Sequence, residues 1–313
     1  MTRIAGTSIA TIIAVVLCAG ATASAQGKLN VVTSTEDLGS IAREVGGDKV
    51  NVTALAKGYQ DPHFVEPKPS FILAVNRAAL YIAVGRELEI GWLPPLLTSS
   101  RNAKIQVGAP GYLDASLNVR ILEIPTGQIT RAMGDVHPLG NPHYWLEPGN
   151  GRLIARAIRD KLSELSPGDK AYFAQRYDDF DRRVAAAEKR WDAMMAPYKG
   201  AKVVTYHRSW PNFMERFGLE VIGYVEPKPG IPPSPAHTID LIDEMKRSAA
   251  KVIVVEPYFS LKTPQAIAGQ VPGAQVLVMA PSVGGVKEAT DYIQLFEYNV
   301  KLLSGALQRA VGK

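Results

Sequence analysis

PGDKAYFAQRYDDFDRRVAAAEKRWDAMMAP, residues 167–197, decides the architecture of this chain. Tyr177, Phe180, Val184, Ala187, Trp191 and Met194 follow at intervals of 3, 4, 3, 4 and 3, which stacks them along one face of an α-helix. Arg176, Asp179, Arg182, Arg183, Lys189 and Arg190 occupy the remaining faces. Gly168-Asp169 provides a start signal and Pro197 a stop. A helix over residues 167–196 would be roughly 40 Å long at 1.5 Å per residue, about the width of a domain. Its apolar stripe is read as core, and its length makes it a stiff connector between what lies before and after it.

Short apolar runs alternate with helical patterns on both sides. Before it, Leu29–Thr33, Val50–Ala56, Leu80–Val84 and Lys104–Val107 read as strands, with helices from Glu36 to Val45 and between Pro69 and Ala79. After it, Lys202–Tyr206, Leu219–Tyr224, Val252–Glu256 and Gln275–Met279 read as strands. Helical segments there are expected at Trp210–Phe217, Thr238–Ser248, Thr263–Gly269 and Lys287–Ala310. Such alternation predicts an α/β protein of two parallel-sheet lobes, residues 26–166 and 197–313, joined by one long rigid helix.

The chain of 313 residues is long enough for two such domains, and 46% hydrophobic with 21% charged residues fits a soluble globular protein. Its net charge of +5 is spread, with no basic run of the kind that tracks nucleic acid. Residues 1–25 differ from the rest. Arg3, an apolar run from Ile9 to Ala19 and Ala23-Ser24-Ala25 together read as a secretory signal peptide cleaved after Ala25. The run is shorter than the roughly 20 residues of a spanning helix. Cys18, the only cysteine, falls inside this segment behind the bulky Leu17, which disfavours a lipid anchor. The mature chain would then have neither disulfide nor thiolate, so any metal is held by nitrogen and oxygen.

Three of the five histidines share a setting. His63 lies in Asp61-Pro62-His63-Phe64, His143 in Asn141-Pro142-His143-Tyr144, and His207 directly after the strand Lys202–Tyr206. Ligands of open parallel sheets gather at the carboxyl ends of strands, so these imidazoles are placed to converge in the cleft between lobes. The prolines before His63 and His143 stiffen the backbone there. Three neutral imidazoles suit a transition metal, zinc above all, and leave one tetrahedral position open. His137, in Gly134-Asp135-Val136-His137-Pro138, is read as a solvated loop residue, the alternative being an accessory site that passes metal inward. His237 follows a proline-rich turn and is read as part of a helix start.

An ordered set of motifs resembles the metal-specific periplasmic binding proteins of zinc and manganese ABC importers. It comprises Val31-Val32-Thr33-Ser34, Gly46-Gly47-Asp48, Gln60-Asp61-Pro62-His63 with Glu66-Pro67, Gly85 to Trp92, Asn141 to Pro148, Tyr206-His207 and Val255-Glu256-Pro257-Tyr258-Phe259-Ser260. The resemblance implies two α/β lobes joined by one long helix, with His63, His143 and His207 as metal ligands. It further implies a periplasmic, non-enzymatic protein, monomeric, that delivers its ion to the importer's permease in the inner membrane. Where such proteins carry an aspartate after the last strand of the second lobe, this chain has Ala280. Water, or another carboxylate, must complete the coordination. Glu256 is the first candidate, the competing reading being that it supports a ligand or forms a salt bridge without touching the metal; Asp61, Glu66 and Asp291 are weaker candidates. Three nitrogens and at most one oxygen favour Zn2+ over Mn2+, which prefers oxygen. The alternatives are a manganese binder of the same class, a secreted zinc-dependent hydrolase and a surface adhesin. Against the hydrolase, the chain has no His-Glu-x-x-His and no serine-centred elbow.

Overall fold

The computed structural model describes residues 27–130, 133, 134 and 136–310; the expected signal peptide lies outside the described residues. The first lobe runs β1 (Leu29–Thr33), α1 (Glu36–Gly46), β2 (Val50–Ala54), α2 (Pro69–Asn76), β3 (Leu80–Ala83), α3 (Leu93–Ser100) and β4 (Tyr112–Asp114). Its sheet has the order β2-β1-β3-β4, every pair parallel. A long loop then leads to α4 (Pro148–Leu165) and α5 (Lys170–Met195). The second lobe comprises β5 (Lys202–Thr205), α6 (Pro211–Phe217), β6 (Glu220–Tyr224), α7 (Pro235–Ser248), β7 (Val252–Val255), α8 (Lys262–Gln270), β8 (Gln275–Val278) and α9 (Tyr292–Ala310). Its sheet, β6-β5-β7-β8, repeats the order of the first and is likewise parallel. Strands covered on both faces need unbroken apolar runs, and β3 (Leu-Tyr-Ile-Ala) and β7 (Val-Ile-Val-Val) are fully buried.

The long helix is present, with two corrections. A 3-10 turn over Pro167–Asp169 precedes it, so the α-helix itself starts at Lys170. Its buried face ends on Met195, whereas Met194 is 38% exposed. A stripe of period 3.6 drifts away from a strict 3-4 alternation, and after Trp191 the core lies four residues on. The sequence reading places no element over α4, and it places a strand at Lys104–Val107. Ala103–Ile105 instead forms a 3-10 turn capped by Asn102, whose side chain accepts from the Lys104 amide. The edge strand forms later, where Tyr112 pairs with Tyr81.

α5 is more than a strut. It packs on α1 and α4 on one side and on α9 of the second lobe on the other. Trp191 meets Phe296 with ring centroids 5.2 Å apart, and one apolar cluster runs through both lobes. The seam between lobes is also tied by polar contacts. Buried Asp37 of α1 accepts from the Ser282 hydroxyl and, at 2.9 Å, from the Val283 amide. The Tyr292 hydroxyl donates to the Trp145 carbonyl at 2.6 Å, and Trp145 Nε1 donates to the Pro281 carbonyl at 2.9 Å. Two glycines mark how closely the halves approach. A Cβ on Gly151 would lie 2.2 Å from the Tyr292 ring, and one on Gly58 would lie 2.0 Å from the Val283 carbonyl oxygen.

Candidate metal centre

His63 and His143 are delivered by the same local device. The Asp61 side chain accepts from the His63 amide at 3.0 Å and engages its Nδ1 at 2.7 Å. The Asn141 side-chain oxygen does the same for His143, at 2.9 Å and 3.0 Å. Each loop is therefore an Asx turn closed over a proline, and it fixes backbone and ring together. His207 is held differently. It stands two residues past β5, and parallel pairing of Thr205 with Tyr224 sets Glu226 beside it on the neighbouring strand. The Glu226 carboxylate bonds to His207 Nδ1, and both side chains are buried.

All three Nδ1 atoms are thus engaged by an oxygen, which assigns the N–H to Nδ1 and turns the Nε2 lone pairs inward. His63, His143 and His207 come together as a group whose ligating nitrogens all lie within 4.8 Å of one another. His143 Nε2 is buried without a hydrogen-bond partner, although such an atom ordinarily has one. That orphan, and the all-nitrogen donor set, fit a transition-metal ion.

The electrostatics follow the geometry. Burial pushes the His143 pKa well below its ordinary value, and repulsion from His63, His207 and His137 adds to this. Burial opposes charge on His207 too, but the Glu226 hydrogen bond and charge, with Glu256 and Asp61 behind, raise its pKa. For Asp61 the burial penalty is overcome by its bonds to His63, and its carboxyl titrates below the usual range. Proton and metal therefore compete for His207 more than for His143.

Glu256 is buried, and its Oε1 accepts from Trp210 Nε1 at 2.9 Å. It lies outside the convergent group but close enough to influence His207. Asp291 caps α9, accepting from the Ile293 and Gln294 amides at 2.9 Å, and Glu66 is exposed. Ala280 is buried, with its amide and carbonyl bonded by the Asn299 side chain. His237 sits in the first turn of α7; its amide donates to the cap Ser234, and its Nε2 bonds to the Tyr224 carbonyl at 2.8 Å.

The structure departs most from the sequence reading at His137. This residue reaches the cluster, and its Nε2 stands 3.1 Å from His63 Nε2. Burial, with repulsion from His63 and His207, drives its pKa down to about 3. Sequence reasoning also passed over Asp61, Asn141 and Glu226 as orienting groups. The first two were readable, because an Asx residue stands two places before each histidine. A cleft of about 310 Å³ opens onto the cluster, bordered by Glu123, His137, His143, His207, Arg208 and Lys228. Among the described residues, no helix is long and apolar enough to cross a membrane.

Comparison with known proteins agrees with this picture. The curated relatives include the zinc-binding lipoprotein AdcA of Streptococcus pneumoniae, 26% identical over 292 residues. That alignment takes in 89% of this chain but 56% of the relative, so the chain spans about half the length of that protein. The high-affinity zinc uptake system protein ZnuA of Yersinia pestis is 27% identical over 240 residues, covering 73% of this chain and 76% of the relative. A manganese ABC transporter substrate-binding lipoprotein, PsaA of Streptococcus anginosus, is 22% identical over 308 residues, covering 95% and 96%. Among solved structures, a crystal structure of ZnuA superimposes with a TM-score of 0.74 at 24% identity, covering 89% of this chain and 98% of that one. The laminin-binding adhesin Lmb of Streptococcus agalactiae gives 0.75 at 22%, covering 89% and 99%. At these identities the structural matches establish the fold. The family described as zinc-uptake complex component A, periplasmic, matches residues 31–306, and the chain belongs to that family.

Proposed function

We propose that this chain is a periplasmic solute-binding protein that captures one transition-metal ion, Zn2+ in the first place, and delivers it to the permease of an ABC importer. His63, His143 and His207 bind the ion. The observation that carries this reading is the convergence of three imidazoles whose Nδ1 atoms are all engaged by oxygen acceptors. Such a site is preorganised for a metal, which must still displace a proton from His207, whose pKa is raised. An all-nitrogen set suits zinc better than manganese. The zinc names of the AdcA and ZnuA relatives support that choice, and the manganese name of PsaA keeps the second metal in play.

Hydrolysis at the same centre would need a general base beside a metal-bound water. Asp61 and Glu226 hold imidazole Nδ1 atoms, and Glu256, whose Oε1 accepts from Trp210, lies outside the group of three histidines. Binding and transfer are what this arrangement supports. The test is titration of metal-free protein with zinc against a competing chromophoric chelator. We expect one tight site per chain, lost in His143→Ala. Wild-type affinity in His63→Ala, His143→Ala and His207→Ala alike would overturn the assignment.

A further inference from the structure

The cleft in front of the histidines is far larger than a metal ion requires. It holds about 310 Å³, whereas a single water completing the coordination would need about 10–15 Å³. Volumes from about 300 Å³ upward are those of small-molecule sites, which combine mostly apolar walls with a few placed polar groups. Pro125, Met133, Val136, Pro227 and Pro229 form such walls here, and His143 and His207 open onto the same space.

The polar groups at the rim are fixed. Arg208, next to His207, lays its guanidinium over the Tyr224 ring, 4.2 Å from the centroid. It donates to the Glu123 carboxylate at 3.2 Å, and Asn141 Nδ2 donates to the other Glu123 oxygen at 2.9 Å. The Glu123 bond uses one of the five N–H donors of the guanidinium. Glu123 itself has a left-handed φ of 50°, a conformation that a residue with a side chain keeps only where its surroundings hold it. Lys228 also borders the cleft, in a turn closed by the Ile231 amide, which donates to the Lys228 carbonyl at 2.9 Å.

The histidines leave a charge to be met. His63, His143 and His207 offer neutral nitrogens, and among the described residues no carboxylate joins their group. Asp61 and Glu226 stand behind the rings, bonded to Nδ1 atoms. A divalent ion held by the three nitrogens keeps an open coordination position and no anionic ligand. We infer that the cleft takes the metal as a chelate: a small organic carboxylate coordinates the ion from the cleft side, and its other oxygens pair with Arg208 and Lys228. The inference rests on the three-histidine reading above and names what travels with the ion. A guanidinium fork and an ammonium recognise carboxylates, while the apolar walls suit a carbon skeleton better than a bare oxyanion such as phosphate.

Citrate serves as the probe. Metal-free full-length protein is equilibrated with one equivalent of zinc and radiolabelled citrate, then passed through a desalting column, and zinc and label are counted per chain. Zinc and citrate should be retained together, one of each, and citrate retention should fall at least about tenfold when zinc is omitted. Lys228→Ala and Arg208→Gln should each weaken citrate retention by about tenfold, the loss of one charge-assisted contact, with thermal melts reporting whether the fold is kept. Zinc retained without citrate, zinc stripped from the protein by citrate, or citrate retention unaltered in both variants would overturn the chelate while leaving metal capture intact. Zinc retained equally by His143→Ala would instead overturn the three-histidine reading.

Discussion

Glu226 touches no metal in this scheme, yet its loss should be felt at the centre. It is 6% exposed and bonded to Nδ1 of His207, itself 7% exposed. Glu226→Ala strips a dry N–H of its acceptor, which costs about 1–3 kcal/mol, and frees the ring to adopt the wrong tautomer. Removal of such an orienting group typically weakens metal binding by about 10–100-fold, or about 1.4–2.7 kcal/mol. Glu226→Gln keeps an acceptor oxygen but removes the charge, so its loss should stay under about tenfold.

The two variants also separate in their pH dependence. Glu226 raises the pKa of His207, so in the metal-free protein a proton occupies the ligand as pH falls, and zinc must displace it. Wild-type affinity should therefore rise with pH through the His207 titration. In Glu226→Gln that rise should move to lower pH, since the carboxylate no longer favours the imidazolium. Chelator competition between about pH 6 and pH 8, with thermal melts as a check on folding, measures both effects. Wild-type affinity in Glu226→Ala across that range, or an unmoved pH profile in Glu226→Gln, would refute the reasoning.

Offered equimolar zinc and manganese, the metal-free protein should retain zinc by elemental analysis; retention of manganese would contradict the all-nitrogen site. Burial raises the Asp37 pKa from 3.8 to about 7, so the folded state binds its proton more tightly than the unfolded chain does. This group therefore erodes stability as pH rises between about 4 and 7, by up to roughly 4 kcal/mol, and adds no slope outside that window. Glu89, likewise raised to about 7, acts in the same direction. Urea melts of Asp37→Asn should thus show a shallower decline over that range, and an unchanged slope would count against a strained carboxylate at the seam. Gly151→Ala places a methyl 2.2 Å from the Tyr292 ring and should destabilise by about 1–3 kcal/mol through overpacking, read as a lowered Tm; an unshifted melt would mean the seam is looser than described.

Residues that act through local rules were legible from sequence, and those that act through the path of a loop were not. The connecting helix could be read because Tyr177 to Trp191 repeats at helical spacing, and only the last step slipped, from Met195 to Met194. α4 keeps a helical stripe of Ile154, Ala155, Ile158 and Leu162, but its first turn, Pro148-Gly149-Asn150-Gly151, reads as a loop. The expected strand at Lys104–Val107 gave way because Asn102 caps a turn there and the Lys104 carbonyl bonds to the Gly111 amide. Proline-histidine pairs and a strand end singled out His63, His143 and His207, whose ligand atoms the fold brings within 4.8 Å of one another. The partner of His207, Glu226, needed the β5–β6 register, and the contact of His137 with His63 needed the course of a loop that no periodicity encodes.

The seam between the lobes has a mechanical consequence. With Tyr292 locked under Gly151, Asp37 buried on the Ser282–Val283 backbone and one apolar cluster running through both halves, wide opening would have to tear core apart. Any ion taken up by the cluster would then enter and leave without a swinging jaw. Solution scattering profiles with and without zinc should superimpose.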